Sequence, residues 1–145
     1  MDWEYSMFQV CRLEKTLGNK IKFNFSSFHA GVGLSSSQGR ALHYFLGLRK
    51  KEKFQKDYEN EFDVKASSAS AVIKQLEDKG FIERECLDRD SRLKKITLTD
   101  KALKLKGQVE NDIEVMQNKL LKNVSKKDYD VFCQVCQQMI DNLSE

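Results

Sequence analysis

Residues 66–98 have the sequence ASSASAVIKQLEDKGFIERECLDRDSRLKKITL, and this stretch determines the fold. The apolar residues of its first part recur at i, i+3, i+4 and i+7, namely Ala69, Val72, Ile73 and Leu76. This spacing predicts a helix over residues 66–79 with one narrow buried side. Gly80 predicts the end of that helix, because glycine adopts the backbone conformation that follows a helix C-terminus.

An alternating pattern follows this helix. From Phe81 the apolar period changes to two residues, which is typical of strands. Residues 81–87 and 93–98 are predicted to pair as a β hairpin around a charged turn at residues 88–92. Because residues 54–62 predict a short helix just upstream, the central part is predicted to be a winged helix-turn-helix.

The flanking segments are predicted to be mostly helical. Residues 1–22 have apolar positions near helical spacing, whereas residues 23–33 mix three Phe with Asn and Ser and are predicted to be irregular. The serines of residues 34–38 can cap a second helix. Thr99 is expected to cap one long helix over residues 100–122, and Ser125-x-x-Asp128 resembles a capping box that opens the last helix.

The predicted fold class is mainly α with a small β hairpin that forms the wing. Residues 34–99 are assigned to the winged helix-turn-helix, residues 1–33 to an N-terminal helix and loop, and residues 100–145 to C-terminal helices. The apolar stripes of the flanking helices are too long for a small winged domain to cover. A second copy of the chain is expected to bury them, which predicts a homodimer and makes both flanks dimerisation segments.

Composition excludes some classes of protein. The 145 residues contain no proline, 32% charged residues and 40% hydrophobic residues, which favours long helices around a core. Neither an apolar run long enough to span a membrane nor a secretory pattern occurs, so no membrane partner is expected. The spacing of the four cysteines gives no disulfide framework, which predicts reduced thiols in the cytoplasm.

The exposed side of the helix over residues 66–79 is unusual for a surface helix. Its side chains are mostly small or polar, namely Ser67, Ser68, Ala71, Lys74 and Gln75. Short side chains let a helix approach another surface closely, and an α helix fits the major groove of B-DNA. The net charge of +3 neither requires nor excludes nucleic acid, but residues 49–56 hold five cations against one Glu. Such a helix could read double-stranded DNA, and a solvated face or a self-association surface is the alternative.

The wing sequence resembles that of the MarR family of bacterial transcriptional regulators. The resemblance is carried by Asp90-x-Arg92-x-x-x-Ile96-x-Leu98-Thr99, in frame after residues 76–84, LEDKGFIER. Residues 37–42, SQGRAL, are also similar to the family's second helix. The resemblance implies a homodimer that binds a palindromic operator, usually as a repressor, and that is released by a small-molecule effector or an oxidant. Two recognition helices would then lie one DNA turn apart, roughly 34 Å.

DNA contacts are predicted on the recognition helix and on the wing. Ser67 and Ser68 are expected to bond base edges or phosphates, and Ala66 or Ala71 to contact a thymine methyl. Lys74 and Gln75 are expected to reach phosphate. The predicted contacts on this helix are Ala66, Ser67, Ser68, Ser70, Ala71 and Lys74.

Three wing cations complete the predicted interface. Arg89 at the tip is the candidate for minor-groove insertion. Arg92 matches the arginine of the family motif and is expected to pair with Asp90. Lys94 and Lys95 alternate across the strand, so only one of them can face DNA, and Lys94 is assigned that role.

The resemblance also implies candidates for effector sensing. Counting back from Ser37-Gln38, Cys11 falls near the sensing thiol of the family's organic-hydroperoxide regulators, although Lys15 and Phe25 replace the expected tyrosines. A thiol-based redox regulator is therefore one alternative, and a small buried cysteine is the other. The family's pocket implies a lining formed by Phe23, Phe25, Phe28 and His43, for which plain core packing is the alternative.

No enzyme, cofactor or metal site is predicted. The sequence has no glycine-rich phosphate loop, no nucleophile elbow and no His paired with a Ser or Cys at recognisable spacing. Cys133-x-x-Cys136 has no second ligand pair, so it predicts core packing and dimer contact. A winged-helix adaptor that binds proteins instead of DNA remains a further alternative.

Overall fold

A computed structural model describes the backbone of residues 3–87 and 90–144, and their side chains except those of residues 3–4, 22–30 and 90–91. The described chain is mostly helical with a small antiparallel sheet, as predicted. Its elements in chain order are α1 Trp3–Val32, α2 Ser36–Gly47, β1 Lys53–Phe54, α3 Gln55–Phe62, α4 Ala66–Asp78, β2 Ile82–Leu87, β3 Asp90–Leu98, α5 Asp100–Leu103, α6 Lys106–Leu120 and α7 Lys126–Ser144. The chain divides into two compact units, Met1–Val109 and Glu110–Glu145.

The first unit has a core to which helix α4 contributes its apolar stripe. Ala69, Ile73 and Leu76 of α4 are fully buried, and Val72 is partly buried, which confirms the predicted stripe. They meet apolar side chains of α2, the sheet and the following helices, and the largest completely buried ones among these are Leu42, Phe45, Ile82 and Val109. The buried stripe fixes which side of α4 remains exposed.

The sheet confirms the predicted hairpin and adds one strand. Its order is β1-β3-β2, and both pairs of strands are antiparallel. Strand β1 was not predicted, because two residues that pair with β3 produce no local alternation. The predicted turn at residues 88–92 is too long, since β3 begins at Asp90 and already contains Arg92.

The predicted caps are confirmed. The side chain of Ser35 accepts a hydrogen bond from the Gln38 amide (3.3 Å), and the Gln38 side chain accepts one from the Ser35 amide (3.1 Å). Thr99 caps α5 in the same way through the amide of Ala102 (3.4 Å). Before α7, the Ser125 hydroxyl accepts from the Asp128 amide (3.1 Å). Each cap satisfies a donor that the first turn of a helix leaves without a partner.

Two helix predictions are wrong. The segment predicted to be irregular is helical, because α1 continues to Val32 and ends at Gly33, whose φ of 69° favours glycine. The single long helix predicted over residues 100–122 is two helices. Between them the amide of Leu105 bonds the carbonyl of Ala102 (2.9 Å), a tighter turn than that of an α helix, and Leu105 contacts the core.

Candidate nucleic-acid interface

Helix α4 exposes the side chains that the sequence assigns to DNA readout. Ala66, Ser67, Ser68, Ala71 and Lys74 are all exposed, and all of them except Ala66 lie away from the side of the buried stripe. Lys74 is exposed, and its Nζ lies 3.4 Å from the Asp78 carboxylate, with both side chains in solvent. An exposed pair of this kind contributes little stability, so Lys74 can exchange Asp78 for a phosphate at small cost.

The two ends of α4 are held differently. At the N-terminus, the N-cap residue Lys65 makes no side-chain capping bond, so the first amides of α4 are not satisfied by that residue. Gln55, which is buried, donates from Nε2 to the carbonyl of Ala66 (3.3 Å). At the C-terminus, the Thr99 hydroxyl donates to the carbonyl of Gly80 (2.7 Å) and Lys101 Nζ donates to that of Lys79 (2.7 Å). The N-terminal turn is therefore the more open end.

Two of the polar side chains assigned to α4 are already bonded within the protein. Ser70 is half-buried, and Arg84 of β2 donates to its hydroxyl (3.2 Å). The same arginine lies 3.5 Å from the Glu77 carboxylate, which also accepts from the Arg84 amide (3.0 Å). Gln75 accepts from Gln38 (2.9 Å). Sequence reasoning did not assign Arg84 or Gln38 this role, because both pairs connect residues of different elements.

The two faces of the wing differ in charge. Arg84, Cys86, Lys94 and Ile96 share one face, because the register pairs Arg84 with Ile96 and Cys86 with Lys94. This is the face that contacts α4, since Arg84 reaches Ser70 there. The opposite face carries the acidic side chains of β2 and the side chain of Lys95, and comprises Glu83, Glu85, Lys95 and Thr97.

The side chain of Lys95 is bound on that opposite face. Its Nζ lies 3.4 Å from the carboxylate of Glu52. Lys94 is thus placed on the α4 side and Lys95 on the other. The two adjacent lysines are chemically identical, but the strand register places them on opposite faces of the sheet.

The structure describes only some of the remaining predicted wing residues. Arg92 lies in β3 and is exposed. Its predicted partner Asp90 has a side chain that lies outside the described residues, as does the whole of Arg89. The pairing of Arg92 with Asp90 and the insertion of Arg89 into a groove therefore stay predictions.

The candidates for sensing are scattered over α1 and α2. Cys11 is an exposed free thiol on α1, which does not fit the alternative of a small buried cysteine within the chain. His43 is almost completely buried in α2. The side chains of Phe23, Phe25 and Phe28 lie outside the described residues, although their backbone belongs to α1. The predicted lining of an effector pocket therefore stays a prediction.

The remaining cysteines are also free thiols. Cys86 and Cys133 are exposed and Cys136 is half-buried, and all of them are free thiols. Core packing within the chain is therefore not found for Cys133, and its predicted dimer contact stays a prediction. Over the part of the chain that the structure describes, no three His, Cys, Asp or Glu residues form a group that could hold a metal ion. No helix in that part is long and apolar enough to cross a membrane.

Comparison with known proteins tests the resemblance in the wing. No family model matches the chain. The crystal structure of the transcription regulator MarR from Oenococcus oeni is 27% identical, covers 91% of this chain and 98% of its own, and superposes with a TM-score of 0.74. The chain has a MarR-type winged-helix fold. The crystal structure of Staphylococcus aureus MepR in its DNA-binding conformation has the same fold, with a TM-score of 0.79. Its sequence is 20% identical, and the match covers 92% of this chain and 98% of the MepR chain.

Two further relatives extend the comparison. A protein described as a MarR-family transcriptional regulator from Listeria monocytogenes, in complex with a 26mer DNA, is 16% identical with a TM-score of 0.76, over 92% of this chain and 87% of that one. An uncharacterised HTH-type transcriptional regulator from Bacillus subtilis, YdgJ, is 25% identical over 138 residues, which is 95% of this chain and 79% of the relative. The MarR resemblance inferred from the wing is confirmed, and the relatives are transcription regulators.

Proposed function

We propose that this chain is a sequence-specific DNA-binding transcriptional regulator. One observation carries the proposal: the small side chains of α4 are exposed beside a wing whose α4 side holds Lys94. A helix of this kind can lie in the major groove while cations beside it approach the backbone. The MarR-type fold supports this docking, because a relative with the same fold was solved with DNA.

Each side chain has a role in the proposed complex. Ser67 and Ser68 lie in the first turn of α4, where their hydroxyls and amides point toward bases or phosphates. Ala66 and Ala71 offer methyl groups to thymine. Lys74 and Lys94 neutralise phosphates on either side of the groove. Arg89 and Arg92 are proposed to grip the neighbouring minor groove from the wing.

The regulator is proposed to act as a homodimer on a palindromic operator. Helix α1 exposes large apolar side chains, namely Tyr5, Met7, Phe8, Val10 and Leu13. Helix α7 exposes another set, namely Val131, Phe132, Val135, Met139, Ile140 and Leu143. A second copy would remove this apolar surface from water and place two recognition helices in successive major grooves, roughly 34 Å apart. Residues 1–33 and 100–145 are accordingly proposed to be the dimerisation segments.

Transcriptional repression with release by a small ligand completes the proposal. A dimer that occupies an operator blocks the promoter beside it, and a ligand that prefers another spacing of the two α4 helices lowers operator affinity. Phe23, Phe25, Phe28 and His43 are proposed to line the ligand pocket.

The test begins with DNA binding by the wild-type protein. Duplexes are selected from a random-sequence pool, and the affinity of the enriched sequence is measured by fluorescence anisotropy at several salt concentrations. We expect a palindromic consensus, a steep loss of affinity with salt, and a weaker complex for Ser68→Ala. A protein that enriches no sequence and binds no duplex would contradict the proposal and favour the adaptor alternative. Peroxide that abolishes binding by wild type but not by Cys11→Ser would replace ligand release with redox sensing.

A further inference from the structure

One side chain at the C-terminus of α4 connects this helix to the end of α1. Lys79 is the C-cap residue of α4, and its Nζ donates to the carbonyl of Gly33 (3.0 Å) and to Oε1 of Gln38 (2.8 Å). Gly33 is the residue at which α1 ends, and Gln38 belongs to the capping box of α2. A single ammonium group thus joins three helices at the point where α1 turns into α2.

Gln38 carries this connection onto the α4 surface. Its Nε2 donates to Oε1 of Gln75 (2.9 Å), one turn before Lys79 on α4. Its Oε1 accepts from the Ser35 amide (3.1 Å) as well as from Lys79. Because neither of those two groups can accept a hydrogen bond, the orientation of the Gln38 amide is fixed. Gln38 is only 8% exposed, whereas its partners Gln75 and Lys79 are exposed, so these bonds are shielded from water on the Gln38 side alone.

The backbone of Lys79 is held from the other side. Lys101 of α5 donates to the Lys79 carbonyl (2.7 Å), and its Nζ also lies 4.4 Å from the centre of the Phe81 ring. We call the set Gly33, Gln38, Gln75 and Lys79 the α4 lock. Within the first unit, the lock and Lys101 together fix the C-terminal end of α4, while the N-terminal turn with Ser67 and Ser68 remains exposed.

We propose that Lys79 and Gln38 are positioning residues for DNA recognition. The inference rests on the proposed function, because the lock sets the orientation in which α4 presents its exposed face to DNA. According to this inference, Lys79 and Gln38 determine the orientation of α4 and do not bind phosphate. The end of α1 then also influences how α4 contacts DNA. A change at Gly33 is thereby transmitted directly to Lys79 through one hydrogen bond, and from Lys79 to Gln75 through the two hydrogen bonds of the fixed Gln38 amide.

The test compares Lys79→Met with a control variant that loses the same charge elsewhere in the chain. Lys126→Met removes an exposed lysine that pairs with Asp130 on α7, and it is expected to bind the selected duplex like wild type. Lys79→Met is expected to lose roughly tenfold in affinity, with an unchanged slope of log affinity against log salt concentration. Lys79→Arg retains a charged donor and is expected to restore most of the affinity. Gln75→Leu removes the last bond of the lock and replaces Lys79→Met if that variant does not fold.

Two outcomes would overturn the inference while the proposed function stands. One is wild-type affinity in Lys79→Met. The other is an affinity loss accompanied by a slope reduced by about one, because that change is the signature of a lost phosphate contact.

A measurement without DNA keeps the two proposals separate. Amide hydrogen exchange in α4 is expected to be faster in Lys79→Met than in wild type or Lys126→Met, since the end of the helix is released. Unchanged exchange would overturn the lock. A wild-type protein that binds no duplex would overturn the proposed function, and the exchange result would still decide whether the lock holds α4.

Discussion

At the scale of single residues, Lys94 and Lys95 differ in the face of the sheet that each one occupies. They have the same charge and are neighbours in β3, but Lys95 binds Glu52 on the face away from α4. Lys94 lies on the face that Arg84 and α4 share. We predict that Lys94→Ala weakens binding to specific and random duplexes by similar factors and lowers the salt slope by about one.

The neighbouring lysine is the control for this prediction. Lys95→Ala removes the same charge from the chain but is expected to leave both affinity and slope near wild type. Anisotropy titrations at four or more salt concentrations measure both quantities. Equal losses in the two variants would show that the wing acts through bulk charge and that its faces do not matter.

Tyr44 gives a prediction about pH. Burial raises its pKa above the ordinary value of 10.0, and the carboxylates of Asp57 and Glu61 raise it further. The folded protein therefore holds the phenol proton more tightly than the unfolded chain does. This contribution to stability is complete below pH 10.0 and is lost as the pH rises through the folded pKa.

Replacement of Tyr44 tests this dependence. Tyr44→Phe removes the phenol and its hydrogen bond to the carbonyl of Asp57 (3.2 Å), which is expected to cost about 1 kcal/mol at neutral pH. Above pH 10 the stability of the variant is expected to fall less steeply than that of wild type. Urea unfolding at a series of pH values measures both effects. Parallel curves at alkaline pH would contradict the assignment.

At the scale of elements, α4 changes from its buried side to its exposed side within two residues. Ala69 is fully buried and Ala71 is exposed. Ala69→Leu is expected to overpack the core and to cost about 1–3 kcal/mol of stability. Ala71→Leu is expected to leave the free energy of unfolding unchanged but to weaken operator binding strongly, because the larger side chain enters the space of the major groove.

Thermal unfolding measures the stability of both variants, and fluorescence anisotropy on the same preparations measures their affinity for the operator. The pair is informative because the substitution is identical and only its place on the helix differs. Binding by Ala71→Leu at wild-type affinity would mean that this face of α4 does not enter a groove.

Elements that are determined by residues close together in the sequence could be predicted from it. The buried stripe of α4 and the caps at Ser35, Thr99 and Ser125 each depend on residues within about one or two turns. Strand β1 could not be found in this way, because it exists only through its pairing with β3 some forty residues later. Helix α1 passes through poor helix formers, since an established helix propagates more easily than a new one starts.

In the candidate site, too, features set by neighbouring residues could be predicted and contacts between distant elements could not. Exposure of Ser67, Ser68 and Ala71 followed from helical spacing alone. The bonds of Ser70 to Arg84 and of Gln75 to Gln38 did not, because they join elements that are far apart in the sequence. Sequence periodicity can identify the exposed face of a helix, but only tertiary structure shows which of its polar side chains are already bonded.

At the scale of the whole molecule, α7 exposes apolar side chains that a second copy of the chain is proposed to cover. None of the residues assigned to α7 is buried within the chain, although Phe132, Val135 and Met139 recur at helical spacing. Water would contact this surface in an isolated chain, whereas soluble proteins rarely leave apolar patches of this kind uncovered. A second copy of the chain, which the proposed palindromic operator also requires, would cover it.

Phe132→Glu tests whether this surface joins two copies. A carboxylate at this position would have to lose its hydration in the interface, so the variant is expected to be a monomer at micromolar concentration by sedimentation equilibrium. Gln137→Glu adds the same charge beside Asp141 on the polar side of α7 and is expected to remain a dimer. Because one α4 helix reads only half of a palindrome, Phe132→Glu is also expected to lose most of its operator affinity while it binds half-sites as weakly as wild type does. A dimeric Phe132→Glu would remove this face of α7 from the proposed interface and leave α1 and α6 to form it. A monomeric variant with full operator affinity would show that the two half-sites are read independently.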